Sequence, residues 1–180
     1  TGGVYVRRES DSELVYEGPD VDLVPDLMTE LVADYDDEGI PPLIAAAMAH
    51  LNLVMIHPFK DGNGRMARCL QSLILARQGV LSPVFMSVEE YLGRNTDAYY
   101  GVLSEVGHGS WQPGNASRPW VRFTLTAHLR QARTLLEGLV DEPDVAVEIL
   151  EHHALRPVLL EHQADVLPVR HDPHAVGAEE

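Results

Sequence analysis

Nine consecutive residues, His57-Pro-Phe-Lys-Asp-Gly-Asn-Gly-Arg65, combine a histidine, an acid, two glycines around an amide, and an arginine. Gly62 and Gly64 fall where a loop meets the start of a helix. Backbone N–H groups there lack intrahelical partners and lie at the positive end of the helix dipole. Such a place binds phosphate, because glycine permits the dihedrals that gather successive amides and leaves the backbone open to an anion. Arg65 and Arg68, three residues apart, project from one helix face and can grip terminal phosphates.

Asp61 is oddly placed beside that cradle, since a bare carboxylate repels phosphate unless a cation stands between them. Magnesium resolves the conflict, because it takes one or two carboxylates and completes its shell with phosphate and water oxygens. His57, held between an apolar helix and the stiff Pro58, has an ordinary pKa near ~6.5 and can accept a proton at cellular pH. A plain turn needs one glycine and none of the acid, histidine or paired arginines. Phe59 reads as an inward-packed anchor for the loop.

The elements that must position these groups follow from hydrophobic spacing. Alternation at Val4 and Val6, a polar turn, and apolar Leu14 and Val15 predict a hairpin, the one sheet expected. Leu23, Leu27, Met28 and Leu31 predict an amphipathic helix over 22–35. Pro41 and Pro42 open a second helix to Ile56 that is apolar on nearly every face and therefore central. A third, from about Asn63 to Arg77, carries Met66, Cys69, Leu70, Leu73 and Ile74, and Gly79 and Pro83 stop it. Further helices are expected from a Ser87 cap to Tyr91, over 97–106, from Ser117 and Pro119 to about 139, and over 145–163 with a kink at Pro157. The remainder after that is a polar tail. The fold class is thus mainly α, a helical bundle with an N-terminal β-hairpin, divided into a domain over 1–140 and an extension over 141–180.

Composition narrows the partners. The chain has 180 residues, 45% hydrophobic, enough for one core, and 13 Lys+Arg against 28 Asp+Glu give a formal charge of −15. Duplex nucleic acid and anionic membranes both call for broad basic patches, so neither is an expected partner. One cysteine, Cys69, permits no internal disulfide, and a cytoplasmic setting is the expectation. Cys69 itself reads as a small core residue, and His50 as a buried, hydrogen-bonded one. His152, His153, His162, His171 and His174 are too irregularly spaced for a zinc site.

The run HPFKDGNGRMAR, from His57 to Arg68, resembles the signature of the Fic family, His-Pro-Phe-x-Asp/Glu-Gly-Asn-Gly/Lys-Arg with a second arginine three positions on. The likeness extends over about 4–139, through AAAMAHLNLVMI before the motif, Tyr99-Tyr100, and SWQPGNASRPWVRF after it. It implies the Fic fold and transfer of AMP from ATP, with Mg2+, to a Ser, Thr or Tyr hydroxyl of a protein substrate. By the same resemblance His57 is the base, Asp61 the metal ligand, Gly62, Asn63 and Gly64 the anion-binding backbone, and Arg65 and Arg68 the phosphate grips. Tyr100 would stack on adenine, and the hairpin around Val4, Tyr5 and Val6 would be a flap that aligns the target by strand addition.

Gly64 favours AMP transfer over phosphorylation, since the kinase-like branch carries lysine there. Gly107 stands where some relatives have an asparagine that contacts the base, so the resemblance leaves the nucleobase open, with UTP or another nucleotide as alternatives to ATP. The family's inhibitory Ser/Thr-x-x-x-Glu-Gly/Asn motif has only off-register approximations here. The resemblance therefore implies inhibition by an antitoxin-like protein or by an N-terminal helix outside this chain. Removal of AMP, and a nucleotide- or protein-binding module without transfer, are the competing readings; a module has no need of His57.

Overall fold

A computed structural model of the chain describes residues 3–7, 14–33, 39–79 and 88–140. The expected Ser87 cap, the helix over 145–163 and the extension after 140 lie outside those residues. Strands β1 (Gly3–Arg7) and β2 (Leu14–Asp20) form an antiparallel pair, with Tyr5 opposite Glu17 and Val6 opposite Tyr16. Six helices follow: α1 (Val24–Ala33), α2 (Pro42–Ile56), α3 (Asn63–Arg77), α4 (Glu89–Arg94), α5 (Thr96–Gly107) and α6 (Arg118–Val140). None in the described residues is long and apolar enough to cross a membrane.

Pro41 caps α2 and Pro42 occupies its first turn, where the missing amide hydrogen costs nothing and the fixed φ suits the helix. The helix then buries Ala46, Ala47, Ala49, His50, Leu51, Leu53 and Ile56, residues that cover more than half of its circumference. Its neighbours are α1, α3 and α6. Small alanines let α3 approach closely, and Ala46 and Ala49 pack on Ile74 and Leu75. On another side Leu31, Leu53, Ile56 and Ala67 close α1 onto α2 and α3. The largest cluster joins Leu51 to Leu92, Tyr99, Val102, Val106 and Trp120. Trp120, buried, donates its indole N–H to the Ala47 carbonyl at 2.7 Å and so fastens α6 to α2.

The core face of α3 differs from the sequence expectation. Asn63, Ala67, Gln71, Ile74 and Leu75 are buried, whereas Met66, Leu73 and Cys69 are exposed. Positions 63, 67, 71 and 74 trace one helical stripe, but two of them are amides, and apolar counting alone passes over amides. Cys69 lies on the opposite side, on the solvent face.

Candidate active site

The site is the junction of α2 and α3. His57 terminates α2 in a left-handed conformation, φ 53° and ψ 53°, with its backbone N–H donated to the Leu53 carbonyl at 3.0 Å. Its Nδ1 lies 3.1 Å from the Val54 carbonyl oxygen, which can only accept, so Nδ1 bears the hydrogen and Nε2 carries the lone pair. Burial pushes the imidazole below its ordinary pKa, only partly opposed by the Val54 bond. The ring is therefore neutral at pH 7, with Nε2 able to take a proton.

The loop from Pro58 to Gly62 is fastened by Asn63. This buried side chain donates from Nδ2 to the Phe59 carbonyl at 2.6 Å and accepts the Phe59 N–H through Oδ1 at 2.9 Å. Phe59, expected to anchor the loop with its ring, is exposed. A two-point amide clamp satisfies backbone groups that an aromatic ring cannot, and that is why the ring is free to face solvent. Lys60 is exposed as well.

Gly62 caps α3 with φ +88°, a conformation that L side chains adopt only under strain. Its amide is donated to Asp61 Oδ1 at 2.6 Å. The first intrahelical bond runs from Met66 N–H to the Gly62 carbonyl at 2.9 Å. The amides of Asn63, Gly64 and Arg65 thus precede that bond and form the open turn at the positive end of the dipole. Gly62 supplies the turn's conformation, and its own amide is taken by Asp61.

Arg65 donates to Asp61 Oδ2 at 3.0 Å, so the two residues expected to take phosphate and metal hold one another. Both are exposed, and water screens the pair. Asp61 is a lone carboxylate; among the described residues no group of three or more His, Cys, Asp or Glu could hold a metal. That donor set fits magnesium, which keeps several waters and shares a nucleotide's phosphates, and does not fit a protein-caged ion. Arg68, one turn further, is a quarter exposed and pairs through Nε with Glu89 of α4 at 3.5 Å. A side chain added at Gly64 would lie 3.5 Å from Arg68 Nη1 and 4.0 Å from the Tyr99 hydroxyl, which places both beside the open turn.

Tyr100 is exposed on α5, while its neighbour Tyr99 is buried with the ring centroids 5.2 Å apart. Behind Tyr99 runs a chain that sequence reading found only at His50. Tyr99 Oη is 3.2 Å from His50 Nε2, His50 Nδ1 is 2.6 Å from Gln71 Oε1, and Gln71 Nε2 is 2.9 Å from His128 Nε2. The Gln71 carbonyl requires a hydrogen on His50 Nδ1, which makes Nε2 the acceptor and the Tyr99 hydroxyl its donor. Burial pushes the Tyr99 phenol up to about 12, against the opposing pull of Arg68. Burial likewise brings His50 and His128 down to about 4. These groups stay neutral behind a fixed cation.

Strand β2 of the hairpin packs on α2 and α5. Residues Val4, Tyr5 and Val6 belong to β1, and Tyr5 is exposed. The opposite edge of β2 is occupied, with Glu17 N–H donated to the Gly109 carbonyl at 3.0 Å and Trp111 N–H donated to the Glu17 carbonyl at 2.7 Å. Among the described residues β1 pairs with β2 alone.

The model of the Fic/DOC family matches residues 1–75. Protein adenylyltransferase fic-1 of Caenorhabditis briggsae is 38% identical over 116 residues, 61% of this chain and 20% of that protein. Protein adenylyltransferase Fic of Nematostella vectensis is 40% identical over 88 residues, 49% of this chain and 18% of its own. A crystal structure of a Fic family protein from Desulfovibrio desulfuricans superposes with a TM-score of 0.62 at 31% identity, covering 76% of this chain and 40% of that one. Over residues 1–75 the chain is similar to the Fic/DOC family, and it has the Fic fold. It spans about a fifth of the length of these curated relatives.

Proposed function

We propose that the chain is a protein adenylyltransferase, transferring AMP from ATP to a Ser, Thr or Tyr hydroxyl of a target protein. The observation that carries this reading is the Nδ1–H bond from His57 to the Val54 carbonyl, which leaves a neutral, proton-accepting Nε2 next to the anion-binding start of α3. The relatives named protein adenylyltransferase supply the reaction class.

In the proposed reaction the target oxygen attacks the α-phosphorus in line. The new O–P bond forms as the bond to pyrophosphate breaks, and the hydroxyl proton passes to His57 Nε2. The amides of Asn63, Gly64 and Arg65 and the guanidinium groups of Arg65 and Arg68 hold the phosphates, and Tyr100 offers a ring to the base. Asp61 would hold magnesium, releasing Arg65 to phosphate; the ion, when bound, neutralises charge on the phosphate oxygens. The target segment would add to β1.

The same proposal takes 1–140 as the transfer domain and 141–180 as an extension, a cytoplasmic setting compatible with the free Cys69, and inhibition by an antitoxin-like protein or helix. Mass spectrometry of a cell lysate incubated with the chain, ATP and magnesium tests it. One AMP mass on a hydroxyl side chain, absent with His57→Ala, is the expected result; a phosphate mass instead would replace the reading with phosphorylation.

A further inference from the structure

We infer that Tyr16 is a positioning residue for His57, its hydroxyl fastening the hairpin to the last turn of α2. This rests on the adenylyltransferase reading for its role in turnover, but the geometry stands by itself. The final carbonyls of a helix lack intrahelical donors. At the end of α2 three successive carbonyls have one donor each: Leu53 accepts the His57 backbone N–H at 3.0 Å, Val54 the His57 ring at 3.1 Å, and Met55 the Tyr16 hydroxyl at 2.8 Å. With Met55 held from β2, the turn that presents the Val54 carbonyl to the His57 ring is fixed. Without the Tyr16 hydroxyl the Met55 carbonyl loses that donor, and the last turn of α2, which sets where the ring points, is held less firmly.

Two further features hold Tyr16 in place. The Glu17 bonds to Gly109 and Trp111 stop β2 from sliding. Gly107, at the end of α5, makes room: a Cβ there would come within 3.3 Å of Met55 Sδ and 3.5 Å of Tyr16 Cδ2, tighter than the first of these contacts allows without a shift. A methyl there asks the flexible Met55 side chain to give by a few tenths of an ångström and meets Tyr16 at ordinary contact distance. Burial keeps the Tyr16 phenol protonated and hence a donor at any physiological pH. A target strand on β1 is thereby held at a set distance from the base, through β2 and one hydroxyl.

The test compares wild type with Tyr16→Phe, circular dichroism confirming the fold. Proton NMR reads exchange of the His57 Nδ1 hydrogen with solvent, calorimetry reads ATP affinity, and incorporation of α-labelled ATP into lysate protein reads turnover. Tyr16→Phe should speed that exchange by at least about tenfold. It should also lower the labelling rate at saturating ATP by at least about tenfold while ATP affinity stays within about twofold. A Tyr16→Phe chain that melts earlier but keeps the exchange rate and the labelling rate overturns the inference. If wild type labels nothing, the adenylyltransferase reading fails, and the exchange rate alone decides Tyr16: faster exchange upholds it, an unchanged rate removes it.

Discussion

The His57 ring donates its Nδ1 hydrogen to the carbonyl of Val54, three residues back in the helix that the same histidine terminates. One residue thus closes the helix, fixes its own tautomer and sets aside Nε2 for a proton. Burial then lowers its pKa, so the neutral form is the ground state over a wider range than for free imidazole.

That relation predicts the acid limb of the pH–rate profile. A base must be deprotonated to act, and its folded pKa lies below the ordinary 6.5. The kcat/KM for transfer should therefore be flat through pH 7 and fall only below 6.5, as His57 takes up a proton. A limb centred above 6.5 contradicts the burial argument.

Asn63 should matter as a clamp. Asn63→Ala removes both bonds to the Phe59 backbone and is expected to cost about 1–3 kcal/mol in urea denaturation. Asn63→Asp keeps an acceptor for the Phe59 N–H but sets a charge against its carbonyl and against the phosphate site. Calorimetry should find its ATP affinity lower than that of Asn63→Ala, although the aspartate is the closer isostere.

His50 and His128 make stability fall in acid. Their folded pKa values of about 4 lie below the ordinary 6.5, so between these pH values the unfolded chain binds more protons than the folded one. Stability is full above 6.5 and is lost as pH falls toward 4. The melting temperature should drop from pH 7 to pH 5, and His128→Gln should reduce that slope.

Asp61→Asn separates metal from fold. Its pairing with Arg65 is exposed, so the melting temperature should barely move. The gain in ATP affinity on adding magnesium should disappear. Persistence of that gain means that the ion is held elsewhere.

How far the molecule can be read from its residues depends on sequence separation. The hairpin, the proline-opened α2 and the glycine-capped α3 are written in neighbouring residues, and so is the run from His57 to Arg68. The partners behind them are not. Tyr16 meets Met55 across 39 positions, Gln71 meets His128 across 57, and Trp120 meets Ala47 across 73; each is a polar contact between elements, to which local periodicity is blind. Phe59 and Cys69 are exposed against expectation for a related reason: hydrophobic type predicts burial only when the element's orientation is known, and a buried Asn63 and Gln71 turn α3 the other way.

The most direct measurement is labelling with ATP carrying its radioactive phosphorus at the α or the γ position, with wild type and His57→Ala side by side. A neutral imidazole acting on a nucleotide held by the start of α3 predicts label on protein from the α position alone, lost in His57→Ala. Label from the γ position, or α-label undiminished without the histidine, contradicts the account.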